Sequence, residues 1–299
     1  MHDRPPALLP RRLLLASDLC ACCDRPLDRA RQLALEWQAD LTVVTVREGP
    51  ETPEEVSSWL DGSDTVHPFE LAARAELAEE CAEEFASAGI THSLQVVRGD
   101  VTDGILTAAA SLSDAVVVIG ASRSDSFQHL ILGSTAGRLA QGLAQPLLVV
   151  RRRTRGSYAR ILVANDGTGR SRQALEAAVR LFPGRRITLF HVLEGVAHPP
   201  PAPSADALQA ALDDSARFLD GCTLPAGARD HIDIVVGHGR VTDAIARQVA
   251  EGAVQLVVLG VRRLSAVARV FMGSRNDDLL QHLPCDTLLV RAAEGSDDG

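Results

Sequence analysis

The chain has 299 residues, enough for about two domains, with 46% hydrophobic residues, 3% aromatics and a formal net charge of −9. That balance excludes a general nucleic-acid binder, which needs a concentrated basic face to neutralise phosphates. Every basic residue is an arginine, which excludes a Schiff-base lysine, a phosphate-loop lysine and a kinase strand lysine; any phosphate must be held by backbone N–H groups, helix ends, hydroxyls or arginine.

The opening segment, MHDRPPALLPRR, lacks a long apolar stretch of the export type. The longest apolar runs are of strand length, short of the roughly 20 residues of a membrane helix. The six cysteines are therefore expected to be reduced thiols in the cytoplasm.

Arg12–Asp18 (RLLLASD) is a short apolar run without alternation, the pattern of a strand covered on both faces. Leu27–Trp37 places Ala30, Leu33, Ala34 and Trp37 at helical spacing. Asp40–Val46 is the second strand, and Arg47–Pro68, with three prolines and two glycines, reads as loop. Phe69–Ala88 is an alanine- and glutamate-rich helix stopped by Gly89. Thr91–Arg98 is a third strand, Val101–Leu112 a short helix, Asp114–Gly120 the fourth strand and Pro146–Val150 the fifth. Strands alternating with helices require right-handed crossovers and a parallel sheet with helices on both faces. Arg151–Ser157 reads as a solvated linker.

The plan then recurs, and such internal repetition decides the architecture. Arg160–Asp166 matches Arg12–Asp18 at an offset of 148, and Ile187–Val192 matches Leu41–Val46 at 146. VTDAIARQVA (Val241–Ala250) repeats VTDGILTAAA (Val101–Ala110) at 140. Between these come helices at Ser171–Leu181 and Asp206–Gly221, a proline-rich loop at Glu194–Ala205 and a third strand at His231–Val236. The fourth strand is Val254–Gly260 and the last Asp286–Arg291. Gly120 and Gly260, Gly133 and Gly273, and Ser134 and Ser274 all lie 140 residues apart.

Three features recur in both copies: a first strand ending in Asp, a second ending in Val, and Gly-x-x-Arg, nine residues, Gly-Ser after the fourth. Together they resemble the nucleotide-binding motif of the universal stress protein family, so the chain looks like a tandem member with domains at 1–151 and 158–292. The resemblance implies two flavodoxin-like or Rossmann-like α/β domains, each a five-stranded parallel sheet in the order 3-2-1-4-5. It implies a cytoplasmic stress-response regulator that binds ATP or another adenine nucleotide with Mg, is not an enzyme beyond slow ATP hydrolysis, and signals through partner contacts. Asp18 and Asp166 would stand beside the nucleoside, and Val46 and Val192 beside adenine. Gly120 and Gly260 would let backbone approach a ligand at the end of a central strand. Gly133-Ser134-Thr135 and Gly273-Ser274 would open a helix whose free N–H groups suit phosphate. Also by resemblance, the edge strands at 145–150 and 286–291 pair to form a pseudo-dimer within the chain, with homodimer formation left open.

The motif's second glycine is arginine in both copies, Arg123 and Arg263, which either clamps phosphate or fills the pocket. The second copy keeps Asp166-Gly167-Thr168, where the first has Leu19-Cys20-Ala21-Cys22-Cys23 after Asp18. Degenerate pockets would make the chain a ligand-free adaptor. Cys20, Cys22 and Cys23 could instead form a thiol or metal sensor, although no second cysteine pair completes a metal set. Gly237-His-Gly239 starts like a dinucleotide fingerprint, but Thr242 stands at the third glycine, so it reads as the turn into a helix.

Overall fold

Three consecutive leucines, Leu13–Leu15, form the middle of β1 (Arg12–Ala16), and all three are fully buried. Side chains alternate across a strand, so such a run needs cover on both faces. The computed structural model describes residues 9–18, 24–47, 79, 82–83, 85–121, 134–195, 202–261 and 283–291, and it supplies that cover. β1 lies between β2 (Asp40–Arg47) and β4 (Ala115–Gly120), with β3 (His92–Arg98) outside β2 and β5 (Leu147–Val150) outside β4. All four pairings are parallel. Helix α1 (Asp24–Trp37) covers the face that carries Leu13 and Leu15. Helices α2 (Val101–Ala110) and α3 (Ser134–Gly142) cover the face that carries Leu14.

The second half repeats this with β6 (Arg160–Asn165), β7 (Arg186–Glu194), β8 (Ile232–Gly239), β9 (Leu256–Val261) and β10 (Asp286–Arg291). Its order is β8-β7-β6-β9-β10, again 3-2-1-4-5. Helices α4 (Gly169–Leu181) and α5 (Ala205–Asp220) pack on one face and α6 (Val241–Glu251) on the other. The α/β class expected from the sequence is therefore the observed one.

Element ends differ from the pattern-based reading by a few residues. β1 and β6 stop before Asp18 and Asp166, so both carboxylates lie beyond the strand ends. Gly237-His-Gly239 is not a turn but the last stretch of β8. A Cβ on Gly237 would stand 2.5 Å from the Phe190 ring; the position is bare because a β7 aromatic lies over it. Most of the helix expected at Phe69–Ala88 lies outside the described residues. Phe85, Ala86 and Ser87 are helical, and Gly89, at φ 72, ends that helix in the left-handed conformation.

The two sheets are one. β5 and β10 pair antiparallel, with Leu148 opposite Leu288, Leu147 opposite Leu289 and Val149 opposite Thr287, giving a ten-stranded sheet. Leu148 and Leu288 are the same position of the repeat, so a local twofold axis passes between them. Both core layers run unbroken across this seam.

A buried carboxylate anchors the seam. Asp286 is fully buried. Its Oδ1 accepts from the backbone N–H groups of Arg151 and Arg152 at 2.8 and 3.0 Å. Its Oδ2 accepts from the Tyr158 hydroxyl at 2.6 Å and lies 3.5 Å from the Arg29 guanidinium. Arg29, itself buried, sits 4.0 Å over the Tyr158 ring and donates to the Gly156 carbonyl. Burial, and then the Asp286 charge, push the Tyr158 hydroxyl well above the ordinary tyrosine range. Arg151–Ser157 is thus not a solvated linker throughout: Arg151 is buried, and its carbonyl accepts from Arg25 of α1.

The few aromatics gather here too. The Phe182 ring lies 5.7 Å from Trp37 and edge-on to Tyr158 at 5.5 Å, within the range of favourable aromatic pairs. Glu36 of α1 pairs with Arg185 at 2.6 Å. On the opposite face Arg291, the last residue of β10, donates to the carbonyls of Gln141, Gly142 and Leu143. It thereby places a cation at the C-terminus of α3 in the other half, where the helix dipole favours one.

Removing one member of a buried ionic network leaves the rest unpaired. Asp286→Ala is expected to cost about 3–5 kcal/mol in urea denaturation, and Tyr158→Phe about 1–2 kcal/mol. A loss below about 1 kcal/mol for Asp286→Ala would show that apolar packing alone holds the seam.

Candidate functional site

In an open α/β sheet the carboxyl ends of the strands form the ligand mouth. The second half has an ordered loop there. The Asn165 side-chain oxygen accepts from the Gly167 N–H at 3.0 Å, and Gly167 has φ 78, a conformation that disfavours a side chain. Asp166 Oδ1 accepts from the Thr168 N–H at 3.1 Å, the Thr168 hydroxyl at 2.5 Å and the Ser171 hydroxyl at 2.8 Å. Oδ2 faces the Arg170 guanidinium at 3.6 Å. The carboxylate is thereby fixed at the start of α4. Partial burial acts to raise its pKa, but the hydrogen bonds from Thr168 and Ser171, with the Arg170 charge, hold it below the ordinary carboxylate value.

The 148-residue offset holds to Asp18 and Asp166 but not into the helix: α1 starts at Asp24 and α4 at Gly169, and Pro26 packs on Gly120 where Arg170 packs on Gly260. Aligned on those contacts, Thr168, Arg170 and Ser171 correspond to Asp24, Pro26 and Leu27. Residues 19–23 lie outside the described residues, while Asp18 is described and exposed. The guanidinium and hydroxyl that Arg170 and Ser171 bring to Asp166 have no like residue at Pro26 and Leu27. The matching positions follow only once the helix that packs on each strand-end glycine is known.

The strand-end glycines serve packing. A Cβ on Gly260 would stand 2.4 Å from the Arg170 carbonyl oxygen, so β9 ends against the first turn of α4. At Gly120 the neighbour is the Pro26 ring of α1, at 3.3 Å. On the side a Cβ would take, the space beside each glycine is filled by the first helix of its own repeat. Val46 points into the core: a Cβ on Gly104 of α2 would meet its methyl groups at 3.0 and 3.1 Å. Val192 packs into the same core layer, so either valine would meet a ligand through its backbone.

Helix α3 begins at Ser134, as the glycine-hydroxyl turn implied, with Thr135 half-buried in its first turn. Asp100 caps α2 through the N–H groups of Thr102 and Asp103, and Arg138 of α3 pairs with it at 3.3 Å. In the second repeat Arg240 takes the place of Asp100 and caps nothing with its side chain. Arg123, Gly133, Arg263, Gly273 and Ser274 lie outside the described residues, as do Cys20, Cys22 and Cys23. Burial pushes the Cys285 thiol up to about 12 and that of Cys222 up to about 11, which makes both poor nucleophiles. Among the described residues no helix is long and apolar enough to cross a membrane.

Fold and mouth together define a tandem, doubly wound α/β protein with one site position per repeat. A sequence model of the universal stress protein family matches residues 10–151 and 157–291, and the chain belongs to that family of stress-response proteins. A universal stress protein encoded 3′ of a QAH/OAS sulfhydrylase in Thermus aquaticus is 29% identical over 135 residues, 44% of this chain and 97% of its own length. A universal stress protein structure from Archaeoglobus fulgidus superposes with a TM-score of 0.68 at 16% identity, covering 95% of this chain and 99% of that one. A putative universal stress protein from Pseudomonas aeruginosa gives 0.59 at 15% identity, covering 94% and 93%.

Gly260→Ala is expected to cost roughly 1–3 kcal/mol in chemical denaturation, and more than Gly120→Ala, because a backbone carbonyl yields less readily than the edge of a proline ring. In a carbon-detected NMR titration Asp166 should ionise below the ordinary aspartate value, and Ser171→Ala should shift it upward. The contribution of this carboxylate to stability is in place above about pH 4, the unfolded value, and fades as pH falls through its lower folded value.

Proposed function

We propose that the protein is a nucleotide-responsive regulator and that its second repeat binds an adenine nucleotide. The observation that carries this is the Asp166 carboxylate, fixed by Thr168, Ser171 and Arg170 at the end of β6. A carboxylate held ionised at a strand end is suited to accept from the hydroxyls of a ribose. The glycine-hydroxyl turn at Gly273-Ser274, with Gly260 and Arg263, is the matching phosphate segment by sequence, and Mg would balance the phosphate charge. Val192 would meet the base through its backbone.

In this reading the first repeat, with Asp18, Val46, Gly120, Arg123, Gly133, Ser134 and Thr135, is the weaker or silent site and serves partner contacts. Pro26 and Leu27 at the places of Arg170 and Ser171 favour that division. The chain would act in the cytoplasm, as a monomer with an internal pseudo-dimer or as a homodimer of such chains.

Calorimetric titration of the full chain with ATP and magnesium tests both parts. The expected result is close to one nucleotide per chain, lost in Asp166→Ala and retained in Asp18→Ala. No heat and no thermal shift at millimolar ATP would sink the nucleotide reading. Two equivalent sites would overturn the asymmetry between the repeats.

A further inference from the structure

His191 stands in the same mouth and has no role in the reading above. It lies near the end of β7, paired with Asn165 on β6 and Val236 on β8. Its neighbour Phe190 belongs to the core layer on the opposite face. The imidazole is half-buried, and its Nδ1 lies 3.0 Å from the Asn165 carbonyl oxygen. A carbonyl only accepts, so Nδ1 carries the proton. In the neutral ring Nε2 is then an acceptor, and it has no hydrogen-bond partner among the described residues.

The residue after Asn165 is Asp166, so a carboxylate just past the end of β6 lies beside an imine nitrogen on β7, the two strands about 4.8 Å apart. Both are acceptors, and a pair of acceptors selects a ligand that brings donors. A ribose brings hydroxyls, which suit the carboxylate. A purine brings an exocyclic amine or a carbonyl at its six position. The amine would complete Nε2, whereas the carbonyl would face it acceptor to acceptor and leave both unpaired, the arrangement that discriminates most strongly in a partly desolvated site. The first repeat has Thr45 at this position, and a hydroxyl that donates and accepts would not make that distinction.

Resting on the nucleotide reading, we infer that His191 reads the base at the second site, selecting 6-aminopurine over 6-oxopurine nucleotides through Nε2. The loss of one such hydrogen bond corresponds to roughly tenfold or more in affinity.

The test compares ATP with ITP, which differ at the six-position group and at the adjoining N1, an acceptor in ATP and a donor in ITP, on the full chain with magnesium at pH 8. Wild type should bind ATP at least about tenfold more tightly. His191→Phe keeps a ring but no acceptor, so ATP should weaken to the ITP level while ITP is unchanged. His191→Gln, which can put an amide oxygen near the Nε2 position, should restore part of the preference. Nitrogen-15 NMR of the wild type should report the Nδ1–H tautomer, with Nε2 shifting on ATP and not on ITP. That readout decides the matter should His191→Phe fail to fold. Tight ATP binding with the same ATP/ITP ratio in wild type and His191→Phe, or an Nε2–H tautomer, overturns the inference and leaves the nucleotide reading intact. Binding of neither nucleotide overturns both.

Discussion

One carboxylate, that of Asp286, binds together parts of the chain that are far apart in sequence. Its partners are two backbone amides just past β5, a hydroxyl from Tyr158 and a guanidinium from α1. None of them belongs to its own repeat's strands or helices. A buried carboxylate is costly until every acceptor site is used, so the arrangement is stable only when both halves and the connecting segment are in register. Hydrophobic contacts at Leu148 and Leu288 draw the strands together without direction. The carboxylate adds direction, because only one mutual placement satisfies it.

The same seam shows how a repeated sequence becomes an unequal structure. The ladder at Leu148 and Leu288 is nearly symmetric, but Pro146 holds in the first repeat the place of Asp286 in the second. The asymmetry extends to the mouths. Asp166 has a hydroxyl, hydroxyl and guanidinium shell, where Pro26 and Leu27 stand at the places of Arg170 and Ser171. Asp100 caps a helix and meets Arg138, whereas Arg240 stands in its place in the other half. Shared backbone geometry has been kept while the polar groups at corresponding positions have diverged.

Much of this was legible before any coordinates. The unbroken apolar runs at Leu13–Leu15 and Val116–Ile119 could only be strands covered on both faces. Gly89 marked a helix end, the repeat offsets marked two equivalent halves, and the family resemblance implied the strand order. What escaped depends on contacts between residues far apart in sequence. No local pattern reveals that Gly260 lies against the Arg170 carbonyl, or that Gly237 is bare because Phe190 covers it. Arg151 sits in an arginine run that looks solvated, and its burial follows only once Asp286 is known to bind its backbone N–H. Similarly, Asp18 and Asp166 look alike as sequence, and differ only when the side chains around Asp166 are seen.

The antiparallel pairing of β5 with β10 has a geometric consequence. Within each half every strand runs the same way, so the carboxyl ends of the first five point toward one edge of the sheet and those of the second five toward the other. The two mouths therefore open in opposite directions. The chain is a two-headed plate, with a different set of side chains at each end.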